Sequence, residues 1–391
     1  MPLYSNSTYI IGASCHSVLG DNLPASVPLL RQKPGSPSKL DCRLTGTETN
    51  VPYFLLSGCD YHDADIRYES VLTNIIQTAI SDAGLNEQEV AAMGLFLGSS
   101  SFDIAREEIR YAKALEDEDN AIPLAECGMA IVAENIRKRF GIKGPDLSFN
   151  TACTSSANAA WYAHLAIQSG LIEHALVLTV EFANDTTTYG FQGLQLISQN
   201  GVAPFDERRD GIVLGESCAA AVLSVRPPVD GQRSISIAGG ANLCDTYSMS
   251  ITHEDGTAVA DVIRQALTSA DIEWNDIQAI KCHGTATIGG DAAEAKGMLS
   301  VFPELPRCAV IKPFIGHTLG ACGLSELLLF GAAIQQGFVP GTPGLSNEGE
   351  NLGFVLNQTP SEALPGFYLL NYFGFGGNNT SLVIALEGEL S

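Results

Sequence analysis

The stretch Leu147–Gly170, LSFNTACTSSANAAWYAHLAIQSG, constrains the fold more than any other part of the chain. Apolar Leu147 and Phe149 run into the small residues Thr151-Ala152-Cys153-Thr154-Ser155-Ser156, then into Ala, Leu and Ile at helical spacing up to Gly170. The pattern predicts a strand, a tight turn and a helix, with Cys153 at the turn. Apolar residues lie nearly all round this helix (Ala157, Ala159, Ala160, Trp161, Leu165, Ala166, Ile167), so it is expected to be central and buried. A helix N-terminus offers free N–H groups and the positive end of its dipole. A thiol there is shifted toward thiolate by up to ~2 kcal/mol, from ~8.5 towards ~7. Cys153 therefore reads as a candidate nucleophile, beside the plainer reading of a small buried hydrophobe.

The chain repeats this unit. A second strand-turn-helix, AVIKPFIGHTLGACGLSELLLFGAAIQQG, ends in Ala333-Ile334-Gln335-Gln336-Gly337, as the first ends in Ala166-Ile167-Gln168-Ser169-Gly170. Registering the endings places Cys153 against Gly320, beside the turn that holds His317. The match suggests a duplicated fold in which two buried helices lie side by side, their N-termini opening on one site. Other apolar runs alternate strand with helix: strands at Thr8–Gly12, Met93–Ser99, Ala175–Glu181, Ile235–Ala238, Ile277–Cys282, Cys308–Ile311, Phe367–Phe373 and Ser381–Leu386, and helices at Ile66–Leu85, Phe102–Leu115, Leu124–Phe140, Thr257–Ala270, Gly289–Ser300 and Leu319–Gln336. Such alternation indicates α/β layers around a largely parallel sheet. Leu40–Asp60 shows too weak a period to place, and Glu116–Asn120 reads as a solvated acidic loop.

At 391 residues the chain suits two domains or one large duplicated α/β unit. Its formal charge of −23 makes nucleic acid and anionic membrane surfaces unlikely partners. An acidic partner would need a local basic patch, for which Arg106, Arg110 and Lys113, or Arg137, Lys138 and Arg139, are candidates. No apolar run approaches the ~20 residues of a membrane helix. The opening MPLYSNSTYIIGAS lacks the pattern of a signal peptide. The 10 cysteines include no CxxC pair, which points to free thiols and a cytoplasmic setting.

Two histidines stand in Gly- and Thr-rich strand-to-loop settings, where backbone approaches a ligand closely. His283 lies in HGTATIGGD and His317 in KPFIGHTLGACG, five residues after Lys312. With Cys153 they form one candidate site. The three could also hold zinc, but no ligand pair has the short spacing of structural zinc, and no metal is expected. Near the end, Asn371-Tyr372-Phe373-Gly374-Phe375-Gly376-Gly377-Asn378-Asn379 reads either as a strand end and turn or as a loop lining the site.

These residues carry a resemblance. TACTSS at Cys153, FDERRDGIVLGE at Phe205–Glu216, HGTATIGGDAAE at His283–Glu294, KPFIGHTLGACG at Lys312–Gly323 and FGFGGNN at Phe373–Asn379 occur in the order of the β-ketoacyl-acyl-carrier-protein synthases, condensing enzymes of the thiolase superfamily. Together they cover most of the chain from about Gly98 onward, whereas Pro34–Asp60 departs from the commoner fatty-acid synthases. The resemblance implies a thiolase-like five-layered α-β-α-β-α fold of two pseudo-duplicated halves, 1–230 with the nucleophile and 231–391 with the two histidines.

The resemblance also implies a two-stage reaction. Cys153 accepts an acyl group from the 4′-phosphopantetheine of an acyl-carrier protein. A malonyl-carrier thioester then loses carbon dioxide and attacks it. Thiolate is both a good nucleophile and a good leaving group. Two neutral imidazoles, His283 and His317, are the implied donors to the malonyl oxygen as it gains charge. By resemblance, the N–H groups of Cys153 and Phe375 form an oxyanion hole, and Lys312 joins the catalytic set as a residue that orients or tunes it. Glu326 is its supporting partner. Thr285 and Thr287 match pantetheine-binding positions, and Phe373 and Phe375 match rings that gate the acyl pocket. No permanently bound cofactor is implied. The expected assembly is a homodimer, or a heterodimer with a chain-length-factor-like homologue, in fatty-acid or type II polyketide or aryl-polyene synthesis. A thiolase with Cys322 as base is one alternative, though the HGT and GHT pair favours the decarboxylating class. A non-catalytic chain-length factor is another, but such subunits lack the nucleophile.

Overall fold

A computed structural model describes residues 7–41, 50–58, 64–116, 128–228, 233–342, 352–353 and 356–388. Ten strands form the main sheet: β1 (Thr8–His16), β2 (Gly94–Gly98), β3 (Asp146–Phe149), β4 (His174–Glu181), β5 (Ser217–Ser224), β6 (Ser234–Cys244), β7 (Ile277–Lys281), β8 (Arg307–Ala309), β9 (Gly366–Phe373) and β10 (Asn378–Glu387). Their spatial order is β8-β7-β9-β10-β6-β1-β5-β4-β2-β3. Each half therefore repeats one arrangement, β1-β5-β4-β2-β3 and β6-β10-β9-β7-β8. Orientations repeat too. β2 is parallel to β3 and β4 as β7 is to β8 and β9, and both β5 and β10 are antiparallel to their two neighbours. The halves meet where β1 pairs antiparallel with β6 through Thr8↔Ile237 and Tyr9↔Ser236.

Six helices cover the sheet: α1 (Ala64–Ala83), α2 (Met129–Phe140), α3 (Ser155–Gln168), α4 (Thr257–Ser269), α5 (Ile288–Val301) and α6 (Cys322–Gln335). Three apolar cores separate the layers. One packs α1 and α2 on the outer face of the first half (Ile75, Ile76, Leu95, Val132, Leu178). A second packs α4 and α5 on the outer face of the second half (Val262, Ile263, Met298, Leu369, Val383). The third and largest lies round α3 and α6, between the two halves (Phe96, Trp161, Val177, Leu328, Phe330, Leu370). This is the thiolase-like five-layered α-β-α-β-α fold. It explains the near-continuous apolar runs of β2, β4 and β5, which are covered on both faces.

The two central helices are duplicates in detail. Each follows a three-residue 3₁₀ turn, Ala152–Thr154 or Leu319–Ala321, and each then runs for 14 residues. Ala152 and Leu319 open these turns in the left-handed region, at φ 52° and 50°. The register inferred from the helix endings, Cys153 opposite Gly320, thus holds at the turns as well. Contact is close at the N-termini: Ser156 Oγ donates to the Gly320 carbonyl at 2.6 Å and accepts from Leu324 N at 2.9 Å. A Cβ on Gly323 would lie 2.1 Å from Ala157 N, so only glycine permits this crossing.

Several sequence expectations need correction. Leu40–Asp60 contributes to a small sheet, in which Ser38–Asp41 pairs with Asn50–Phe54 and that strand with Leu214–Gly215. Asp185–Gly193 is a helix that apolar periodicity did not show. Leu124–Phe140 is described as helix only from Met129, and 117–127, with most of the acidic loop, lies outside the described residues. The central helix α3 is not apolar to its last face, since Tyr162 and Leu165 are exposed. Five of the six side chains of the two basic patches pair with nearby carboxylates, and Lys113 is exposed. Arg106 and Arg139 reach Glu69, Arg110 pairs with Glu107, Arg137 with Asp146 and Lys138 with Glu134.

Candidate active site

The nucleophile turn is built by short polar side chains that close on their own backbone. Ser155 Oγ accepts from Thr151 N at 2.9 Å and donates to the Ala152 carbonyl at 2.6 Å, and Thr154 Oγ1 stands 2.7 Å from the Thr151 carbonyl. A half-buried amide network then locks this turn to the second half. Asn378 Oδ1 accepts from Thr154 Oγ1 at 2.8 Å, Asn158 Nδ2 at 2.9 Å and Asn242 Nδ2 at 2.7 Å. Asn158 Oδ1 in turn accepts from Asn242 Nδ2 and Thr380 Oγ1. Sequence reading singled out neither Asn158 nor Asn242. Their signal was an amide inside an otherwise apolar helix and strand, which must find partners when buried.

Cys153, His283, His317, Thr285, Thr287, Phe373 and Phe375 all line one cavity of about 410 Å³. They come from the first half (Cys153) and from three segments of the second. Cys153 is 7% exposed. Its thiol is pushed up to about 11 by burial, partly offset by the Lys312 charge and by hydrogen bonds from the backbone of Phe375 and of Cys153 itself. Burial therefore overrides the lowering expected from the helix N-terminus. Desolvation of a thiolate outweighs the helix N-terminus. The backbone N–H groups of Phe375 and Cys153 both face the Cys153 sulfur.

The two imidazoles stand edge to face, ring centroids 5.5 Å apart at 88°. Their tautomers follow from their partners. His317 Nδ1 accepts from Leu319 N at 3.2 Å. His283 Nδ1 lies 3.2 Å from Lys312 Nζ, and an ammonium can only donate. Both rings therefore keep their proton on Nε2. Burial first, and then the cations Lys312 and Lys281, hold both histidines well below the usual histidine range. They are neutral N–H donors at physiological pH.

Lys312 and Glu326 do not line the cavity; they lie beneath it, fully buried. Lys312 Nζ donates to Glu326 Oε1 at 2.8 Å and to the His283 carbonyl at 2.6 Å. Burial disfavours its ammonium, but Glu326 and Cys322 more than compensate, and its pKa is raised. The loop after His283 is held from α5. Glu294 accepts from His283 N at 2.7 Å and Gly284 N at 2.8 Å, and Asp291 accepts from Ala286 N at 3.2 Å and Phe205 N at 2.6 Å. Within that loop Thr285 and Thr287 share a hydrogen bond of 2.9 Å. Phe373 packs on His283, ring centroids 5.7 Å apart, and Phe375 stacks at 5.7 Å on Phe191 of the unforeseen 185–193 helix.

Cys322 is no base. Its thiol donates to the Cys153 carbonyl at 3.0 Å, and burial raises its pKa strongly. Among the described residues no group of three or more His, Cys, Asp and Glu side chains is placed to hold a metal ion, and no helix is long and apolar enough to cross a membrane.

Comparison with known proteins agrees with this geometry. The family model "Beta-ketoacyl synthase, N-terminal domain" matches residues 63–227 and its C-terminal counterpart matches residues 235–346. The 3-oxoacyl-[acyl-carrier-protein] synthase 2 of Vibrio cholerae is 27% identical over 326 residues, covering 78% of this chain and 79% of the relative. A 3-oxoacyl-[acyl-carrier-protein] synthase homolog of Saccharomyces cerevisiae is 30% identical over 277 residues, 65% of this chain and 61% of the relative. Among solved structures, the complex of the ketosynthase ApeO with its chain length factor ApeC from Xenorhabdus doucetiae superposes with a TM-score of 0.84 at 22% identity, covering 98% of both chains. A chain of the AntDE:AntF complex, a type II polyketide ketosynthase with its acyl-carrier protein, gives 0.84 at 20% identity, covering 97% of this chain and 99% of that one. The chain belongs to the β-ketoacyl synthase family, condensing enzymes of the acyltransferase class.

Proposed function

We propose that Cys153, His283 and His317 carry the family's decarboxylative Claisen condensation in two stages. First, the Cys153 sulfur attacks the thioester of an acyl chain borne on the 4′-phosphopantetheine of an acyl-carrier protein. The new S–acyl bond replaces the pantetheine thioester bond, and the Cys153 proton leaves with the pantetheine sulfur. The N–H groups of Cys153 and Phe375 take the oxyanion. Second, malonyl-carrier protein loses carbon dioxide. The bonding electrons pass to its thioester oxygen, where the Nε2–H groups of His283 and His317 meet the charge. The carbanion attacks the acyl carbon, Cys153 departs as thiolate and is reprotonated, and a β-ketoacyl-carrier two carbons longer leaves.

The observation that carries this reading is the pair of tautomers. Two imidazoles, each with Nδ1 occupied as an acceptor, carry their proton on Nε2 in the cavity that holds Cys153, and the His283 Nε2–H exchanges the Phe373 backbone for the substrate oxygen. Thr285 and Thr287 offer hydroxyls to the pantetheine arm, and Phe373 and Phe375 gate the acyl end. Lys312 and Glu326 act on His283 from below. We place the two halves at 1–230 and 231–391. No resident cofactor is called for, because the carrier brings the pantetheine.

The proposed partners are an acyl-carrier protein and either a second copy of this chain or a chain-length-factor-like homologue. The ApeO–ApeC and AntDE:AntF complexes support the second arrangement and type II polyketide synthesis, while the 27% identical 3-oxoacyl-[acyl-carrier-protein] synthase 2 supports fatty-acid synthesis as well. Among the described residues the thiols Cys15, Cys153, Cys218, Cys244, Cys282, Cys308 and Cys322 are free, which suits a reducing, cytoplasmic setting. Intact-protein mass after mixing with acyl-carrier proteins tests the first stage. The chain gains the acyl mass and Cys153→Ala does not. Absence of acylation from every carrier, with and without the homologous partner, would overturn the reading.

A further inference from the structure

A second lysine lies beneath the site, one that neither the sequence motifs nor the reaction scheme calls for. Lys281 ends β7 on the face turned to the central helices, where Ala279 also packs, and it is wholly buried. Its ammonium donates to Glu326 Oε2 at 2.6 Å and to the Asn371 carbonyl at 2.7 Å, and stands 3.6 Å from the centre of the Tyr372 ring. Glu326 is thus shared by two ammonium groups, one on each oxygen.

The contacts form a chain: Asn371 to Lys281 to Glu326 to Lys312 to His283. One end is the strand segment that runs directly into Phe373-Gly374-Phe375. The other is the imidazole. Lys281 thus adds a second ammonium to one carboxylate in a fully desolvated place, an arrangement that burial alone penalises. Lys312 already neutralises Glu326, so stability does not account for Lys281.

We propose that Lys281 is a positioning residue for the decarboxylating step of condensation: by occupying Glu326 Oε2 it keeps Lys312 on His283. The proposal rests on the condensation reading given above. Without Lys281, Glu326 can chelate Lys312 with both oxygens and draw it off His283. The charge works in the same direction. At His283, burial, Lys312, His317 and Lys281 all oppose protonation, and a hydrogen bond to the Phe373 backbone favours it. At His317, burial, Lys312 and Lys281 oppose it. The carboxylates in the surroundings are Glu326 below, Glu294 under the His283 loop and Glu181 behind Cys153. Removing Lys281 removes one cation and leaves all three carboxylates. The imidazoles then protonate at a higher pH, and an Nδ1–H at His283 would face Lys312.

The test compares wild type, Lys281→Met and Lys281→Gln in two assays: acylation of Cys153 by intact mass, and carbon dioxide release from malonyl-carrier protein as a function of pH. Lys281→Met is expected to acylate within about threefold of wild type but to release carbon dioxide at least about tenfold more slowly at neutral pH, with its acid limb displaced upward. Lys281→Gln keeps a donor without the charge, so it regains rate on the alkaline side and keeps the displaced limb. A Lys281→Met enzyme with wild-type rate and limb would overturn the proposal, as would equal losses in both assays, the mark of a merely structural residue. If Lys281→Met does not fold, Lys281→Gln with an undisplaced limb overturns it. Wild-type protein that releases no carbon dioxide would overturn the condensation reading itself, an outcome separate from any difference among variants.

Discussion

Cys322 donates its thiol to the main-chain oxygen of Cys153 at 3.0 Å, which ties the first residue of one central helix to the turn that starts the other. The bond holds the nucleophile's backbone, and it leaves Cys322 facing a carbonyl with no proton to abstract. Cys322→Ala is therefore expected to keep acylation and condensation within about tenfold of wild type and to lower stability by about 1–3 kcal/mol, the range for an orphaned buried acceptor. Steady-state rates and urea melts check both. A loss of condensation as complete as that of Cys153→Ala would assign Cys322 a chemical role instead.

The ionisation of Cys153 gives a pH dependence. Burial favours the neutral thiol and pushes it up to about 11, so alkylation by iodoacetamide should rise steadily with pH through the neutral range. The Lys312 charge favours the thiolate, so Lys312→Met should slow alkylation at every pH below that value. A neutral-pH plateau in the wild type would show a thiolate already formed.

Removing an imidazole should separate the two stages. His283→Ala and His317→Ala each delete one Nε2–H donor, and loss of one such donor slows the step it serves about a hundredfold or more. Carbon dioxide release from malonyl-carrier protein should fall by that factor in each, while Cys153 still takes up acyl groups. Quantified acyl-Cys153 and released carbon dioxide report the split directly.

The crossing of α3 and α6 leaves no room for a side chain at Gly323, where a Cβ would meet Ala157 N at 2.1 Å. The clash is with backbone, which cannot turn aside. Gly323→Ala is expected to lower unfolding stability by about 3 kcal/mol or more, or to prevent soluble expression. Gly289→Ala, at a helix position with open space around it, is the control and should melt near wild type.

Much of the architecture was legible because the duplication leaves a trace in sequence. The endings AIQSG and AIQQG mark α3 and α6, and equal helix lengths carry that register back to Cys153 and Gly320. The buried strands were legible as apolar runs. The 185–193 helix was not, since its DTTTYGFQG sequence holds three threonines and two glycines. It is started from outside its own pattern. Asn184 caps Thr187 N, and Glu108 accepts from Asp185 N and Thr186 N. The carboxylates that meet the basic stretches were not legible either, because Glu69 and Asp146 reach them from other segments and Glu107 from the next turn of the same helix. The Cys153 ionisation was misjudged because a helix N-terminus is a local feature, whereas depth of burial is set by the whole fold. Lys281 did leave a signal: a lysine on the inward face of a strand covered on both sides must have a charged partner.

The most direct test of the account is a single turnover. Acyl-Cys153 enzyme is isolated, mixed with malonyl-carrier protein, and both proteins are weighed by intact mass over time, for wild type and for His317→Ala. The account predicts that wild-type protein loses its acyl mass as a β-ketoacyl-carrier two carbons longer appears, while His317→Ala stays acylated. Acyl loss by hydrolysis without that product, or equal turnover in His317→Ala, would contradict it.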